Sequence, residues 1–149
     1  MEFSIKNMET KQLAEALDKI HLKTMKASRG KSKFLDRVIE KNAEYSKSRR
    51  DILTEYLVVD EKGQFQTDAQ HHFVFKETKA MADCEQELFD LDNETIVILS
   101  LEHTQAYQTF FEALQEADVP ELTSDELFIL DKILDQFESQ GKGVKTDEA

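Results

Sequence analysis

Cysteine occurs once, at Cys84, so no internal disulfide framework and no Cys-rich zinc site can form, and a reducing compartment is expected. Four glycines and one proline are too few for a turn-rich β fold and point instead to long helices. No stretch approaches the ~20 apolar residues that a membrane span needs. The opening, Met1 to Lys6, has neither a cationic start nor an apolar run, so no secretory signal is expected. Catalytic signatures are missing as well: there is no Gly-x-Ser-x-Gly, no His-Glu-x-x-His, no calcium loop and no glycine-rich nucleotide loop. Gly30-Lys31-Ser32 contains the end of a phosphate loop but lacks the upstream glycine and strand that such a loop requires. The expectation is a protein that is not an enzyme and holds no cofactor and no metal.

What is abundant is charge, and it is unevenly placed. The 149 residues carry a net charge of −12. Residues 1–58 hold 13 Lys/Arg against 9 Asp/Glu, whereas residues 59–149 hold 6 against 22. The segment from Lys19 to Arg50 alone has 11 basic and 3 acidic side chains. Such asymmetry marks an interaction surface, or a basic segment that packs near the acidic half of its own fold or of a second copy. The overall negative charge disfavours nucleic acid as a partner.

Periodicity predicts a mainly α, α+β fold in one domain over residues 1–138, with a disordered polar tail over 139–149 and no internal repeat. Phe3 and Ile5 suggest a short strand over 3–6. Leu13, Leu17 and Ile20 recur at helical spacing from Met8, and Gly30 fits a left-handed stop after Ser28. A second helix is predicted from Ser32 to Leu57, about 40 Å long, apolar at both ends and polar in the middle. Residues 58–63 read as a turn, and 64–66 with 73–75 as a small hairpin. A helix from Glu77 to Leu91, with Ala80, Cys84, Leu88 and Leu91 on one stripe, would return antiparallel and complete a long helical hairpin with a β tip. Thr95-Ile96-Val97-Ile98-Leu99, apolar on both faces, predicts a buried strand that pairs with 3–6. Two C-terminal helices follow. The first is capped by Thr104, carries Phe110, Phe111 and Leu114, and ends before Pro120. The second opens with a Thr123/Glu126 capping box and a Leu122–Leu127 staple, then continues through Leu130, Leu134 and Phe137.

Few side chains suggest chemistry. Adjacent His71 and His72 would point to opposite faces of a strand and so cannot share a metal. Cys84 on an apolar helix stripe reads as a small core residue, since nothing cationic is spaced to activate it. The most specific local feature is Lys26-Ala27-Ser28-Arg29-Gly30-Lys31-Ser32-Lys33, in which Lys26, Arg29, Lys31 and Lys33 surround a flexible glycine at the start of the long helix. A helix start with nearby cations can hold a phosphate, a carboxylate or an anionic partner. The competing expectation is that these cations pair internally with acidic side chains. Ile52, Leu53, Tyr56 and Leu57 at the far end of the helix would need cover, which predicts a homo-oligomer.

The N-terminal strand, the amphipathic helix, the Lys26–Lys33 block and the long charged helix from Phe34 together resemble a family of small uncharacterised proteins encoded by tailed bacteriophages and prophages of Gram-positive bacteria. The resemblance spans about residues 1–100. It implies a phage-encoded protein of the host cytoplasm or the virion, with no established site residues to carry over. Three functions are compatible with these features. The first is a non-catalytic interaction protein acting by helix-mediated assembly with itself or with a phage or host protein. The second is an acidic inhibitor of a host nucleic-acid-binding protein, its carboxylates imitating a phosphate backbone. The third is a small-anion or nucleotide binder through residues 26–33.

Overall fold

A computed structural model of the protein describes residues 1–118 and 120–148, with side chains as far as Gly141 in the last helix. In chain order it contains β1 (Glu2–Lys6), α1 (Thr10–Lys19), α2 (Met25–Tyr56), α3 (Met81–Asp92), β2 (Thr95–Leu99), α4 (Thr104–Gln115) and α5 (Ser124–Glu148). The fold is mainly α with one two-stranded antiparallel sheet, in which Phe3 faces Ile98 and Ile5 faces Ile96. Two compact units are present, residues Met1–Asn42 with Thr95–Ala149 and residues Ala43–Glu94. The chain lacks a linker between them because α2 contributes to both.

The first unit is built around aromatic rings. Phe3 stacks on Phe111 at 4.8 Å between centroids and meets Phe34 edge-on at 5.4 Å. Phe34 in turn meets Tyr107 edge-on at 5.3 Å, and Phe111 stacks on Phe137 at 5.2 Å. These offset and T-shaped arrangements add to the area term that draws one strand and three helices together. The helices cover the face of the sheet that carries Phe3, Ile5 and Ile98. Ile98 is buried, Ile96 is half-buried, and Val97 and Leu99 are exposed. The expectation of a strand buried on both faces is corrected accordingly: the apolar outer side chains remain in solvent.

Where the sequence suggested a stop at Gly30, the structure has helix. Thr24 caps α2, its Oγ accepting the Ala27 N–H at 3.2 Å, so the helix begins seven residues before Ser32. Gly30 is buried inside it, against α4. A Cβ there would run into the Ala106 carbonyl oxygen and lie 2.9 Å from Phe110 Cβ. The glycine serves close helix approach and not a left-handed turn.

The C-terminal helix opens as expected. The Thr123 N–H donates to Glu126 Oε1 at 2.9 Å, and the Glu126 N–H donates to Thr123 Oγ at 3.1 Å. The stripe behind it is shifted. The reciprocal cap turns Glu126 inward, so Ile129, Leu130, Ile133 and Phe137 line the core, Leu134 is half-buried, and Leu127 is 51% exposed. The Leu122–Leu127 staple does not bury its second member. Helical structure also continues beyond Glu138. The Gln140 side-chain amide bonds the backbone of Glu2, which places the described part of the expected tail in contact with β1.

In the second unit, the Tyr45 hydroxyl bonds Asp92 at one end while the Lys76 N–H donates to the Tyr56 carbonyl at the other. The latter part of α2 and α3 therefore run antiparallel, as the predicted helical hairpin requires. Their connection is more regular than a single hairpin. Three short antiparallel segments pair through Val59 with Phe65, Thr67 with Phe73, and Leu57 with Phe75, so each meets both others. The first two pairings repeat at eight residues. Asp60 Oδ1 accepts the N–H groups of Lys62 and Gln64, and Asp68 Oδ1 accepts those of Gln70 and His72. Gly63 (φ 78°) and His71 (φ 64°) occupy the same left-handed position of the two turns. The expectation of no internal repeat is thus corrected: the repeat is hidden because a histidine stands where its counterpart is glycine.

Candidate functional site

Helical spacing sorts the basic block into two faces. Lys26, Arg29 and Lys33 follow at i, i+3 and i+7, and with Met25 and Gly30 they form one wall of a groove of about 460 Å³. The opposite wall is Gln105, Ala106 and Thr109 of α4. Lys31 lies on another face, where its ammonium donates to the Ile20 carbonyl at 2.8 Å and closes the C-terminal end of α1. The four cations proposed as one cluster are therefore three plus one, and they sit on a helix and not around a turn. Gly30 makes the groove, because its missing side chain lets α4 approach.

Internal pairing of the basic segment takes place elsewhere along it. Lys19 meets the buried carboxylate of Glu126 at 2.6 Å, and Arg49 lies 3.8 Å from Asp92. The Lys19 ammonium and the Thr123 backbone N–H hold the Glu126 carboxyl below its ordinary range. Among the described residues, Lys26, Arg29 and Lys33 make no ion pair. Three cations above a largely apolar floor suit an anionic group attached to an apolar one.

The proposed self-association residues are covered within their own unit. Leu57 is fully buried and bridged to Phe75, whereas Ile52, Leu53 and Tyr56 are half-buried. A hydrogen bond to Glu87 of α3 pushes the Tyr56 phenol up to about 12, with burial adding to the shift. Within that unit Phe75 pairs with Leu57 and Glu87 of α3 bonds the Tyr56 hydroxyl.

Nothing in the remaining chemistry-bearing side chains converges. Among the described residues, no three His, Cys, Asp or Glu side chains are placed to share a metal ion. His71 and His72 are exposed on the second turn of the β tip. Cys84 is buried, and burial together with Glu87 and Glu85 raises its thiol away from the reactive thiolate. Tyr45 is pushed up to about 12 by burial and by Asp92. Sequence reasoning missed Met25, Gln105 and Thr109 as groove residues. The 26/29/33 spacing was the available signal, legible only once Thr24 is taken as the cap.

No curated protein and no solved structure matches the chain. The match to a family reaches well past residue 100, into α5: the model described as "Protein of unknown function (DUF1617)" covers residues 1–144, and the chain belongs to that family.

Proposed function

We propose that this is a phage-encoded, non-catalytic interaction protein, working in the bacterial host cytoplasm or in the virion, whose second unit is an arm for a protein partner. One observation carries the proposal. Of the buried apolar side chains among the described residues, only Leu57 and Cys84 belong to residues 43–94, and the others lie in the first unit. An element with so little core of its own presents most of its side chains outward. Phe89 (61% exposed), Phe73 and Met81 are large apolar groups among them. Exposed aromatic and methionine side chains within a charged surround are the usual anchors of protein contacts. The acidic-mimic alternative is supported by the exposed carboxylates of Asp83, Glu85, Glu87 and Asp90 on α3. The anion-binding alternative is supported by the groove of Lys26, Arg29 and Lys33.

The test is retention of partners from phage-infected cells by the wild-type chain and by a Phe89→Ala/Met81→Ala variant, with bound proteins identified by mass spectrometry. Selective loss of one phage or host protein from the variant, at an unchanged melting temperature, supports the arm. Equal retention by both chains rejects it. Loss of a nucleic-acid-binding host protein on neutralising Glu85, Glu87 and Asp90, but not on removing Phe89, favours the mimic.

A further inference from the structure

The two edges of the β1–β2 sheet are treated differently by the fold. On the β1 side, α5 places two glutamines one helical turn apart. Gln136 accepts the Ser4 N–H at 2.7 Å and donates to the Ser4 carbonyl at 2.8 Å. Gln140 does the same to Glu2, at 2.8 and 2.7 Å. Each amide copies the donor and acceptor of a neighbouring strand, so the outer edge of β1 is sealed. Those bonds also fix which way every backbone group points. Glu2 and Ser4 face away from β2, so Phe3 and Ile5 bond to Ile98 and Ile96, and the N–H and C=O groups of Thr95, Val97 and Leu99 face outward. Among the described residues, none of those outward groups has a hydrogen-bond partner, and all three residues are exposed.

That open edge has none of the usual protections. A natural edge strand is blunted by lysine, proline, a bulge or a cover. Residues 95–100 contain no charged residue and no proline, in a chain of which 34% is charged. Beyond Thr95, the exposed side chains beside the edge are apolar: Val97 at 40%, Leu99 at 42% and Leu101 at 65% exposure. Leu101 is held at φ 47°, a left-handed conformation that leucine rarely adopts.

We propose that β2 pairs antiparallel with β2 of a second copy about a two-fold axis at Val97, giving a four-stranded sheet in the order β1-β2-β2-β1. The edge is self-complementary. With Val97 opposite Val97, Thr95 of each copy faces Leu99 of the other, and every outward donor and acceptor meets a counterpart. The pairing also places uncharged residues together at the seam, so no like charges face each other across it. It stops at two chains, because the outer edges are those that Gln136 and Gln140 close. The proposal is independent of the arm in the second unit: either can fail without the other.

The test uses the full chain. Five residues a side make a small contact, so light scattering is run from micromolar to several hundred micromolar. Amide hydrogen exchange is read by NMR on the same samples. A dimer is expected, with the Thr95, Val97 and Leu99 amides gaining protection as the dimer fills, while Ile96 and Ile98 are protected throughout. Val97→Lys and Val97→Glu each set like charges on the axis and should weaken the dimer about tenfold. Mixed together, the two variants should form a heterodimer at least as tight as the wild type. A monomer at every concentration overturns the proposal, as does a dimer whose edge amides stay unprotected. Edge protection that appears only when a different protein is added overturns the assignment to a second copy.

Discussion

Replacing Gly30 by alanine adds one methyl group at the point where α2 and α4 touch, and two opposing terms decide its effect. Alanine is favoured over glycine inside a helix by about 1 kcal/mol, chiefly through backbone entropy. Against this, the new Cβ would overlap the Ala106 carbonyl oxygen and press on Phe110 Cβ at 2.9 Å. Both obstacles belong to α4 near its backbone, so no flexible side-chain end can move aside. Relief requires the helices to separate, which disturbs the Phe34–Phe110 and Phe34–Tyr107 ring contacts behind the glycine. Overpacking of this kind costs about 1–3 kcal/mol and sometimes more. Taking the upper part of that range, because backbone is what must yield, leaves a net loss of about 1–2 kcal/mol. In a protein of this size that lowers the melting temperature by about 2–8 °C. Thermal and urea unfolding followed by circular dichroism give the number. Gly141→Ala supplies the control of sign, since nothing lies within 4 Å of its Cβ position and the helix term acts alone there. It should gain up to about 1 kcal/mol. A Gly30→Ala protein as stable as the wild type, or more so, would refute the close-approach argument and the groove geometry that depends on it.

Ile133→Ala should cost about 2–5 kcal/mol because Ile133 is fully buried, and Leu134→Ala distinctly less because Leu134 is only partly covered; equal losses by urea denaturation would put the α5 register in error. The Glu126 carboxyl is held below its ordinary value of 4.5, mainly by Lys19, so its contribution is present at neutral pH and is lost as pH falls through 4.5 and then through the depressed value. Melting temperatures measured from pH 7 to pH 3 should therefore fall less steeply for Glu126→Gln than for the wild type, and parallel curves would count against the Lys19 contact. Replacing Arg29 and Lys33 together by alanine should change stability by less than about 0.5 kcal/mol, since neither makes an ion pair among the described residues, and the anion-binding alternative further requires that the change abolish any salt-dependent binding of an acidic peptide. A large drop in melting temperature, measured alongside titration calorimetry with that peptide, would show that the cations serve the fold instead.

Elements with a strong local cause were legible in the residues. The Thr123/Glu126 cap and the strands at 3–6 and 95–99 each follow from spacing or pattern within a short stretch. Errors arose where a residue's role depends on a distant partner. Gly30 looked like a stop because glycine often ends helices, yet its cause is Ala106, far away in sequence. Leu127 fits the helical period as well as Ile133 does, yet Ile129, Leu130, Ile133 and Phe137 face the core beside an inward Glu126 held by Thr123 and Lys19. The eight-residue repeat of the β tip is hidden in the sequence because His71 takes a φ of 64° that local pattern assigns to glycine.

The sequence by itself determined the helical class, the split of charge and the order of the main elements, since propensity, capping and periodicity act within a few residues. Only the tertiary structure decided which faces meet. It sorted Lys31 away from Lys26, Arg29 and Lys33 by helical phase, and covered Leu57 from within its own unit. It also sealed one edge of the sheet with Gln136 and Gln140 while leaving the edge at Val97 open. Such choices depend on the register between elements brought together by packing, a long-range property that local pattern does not encode.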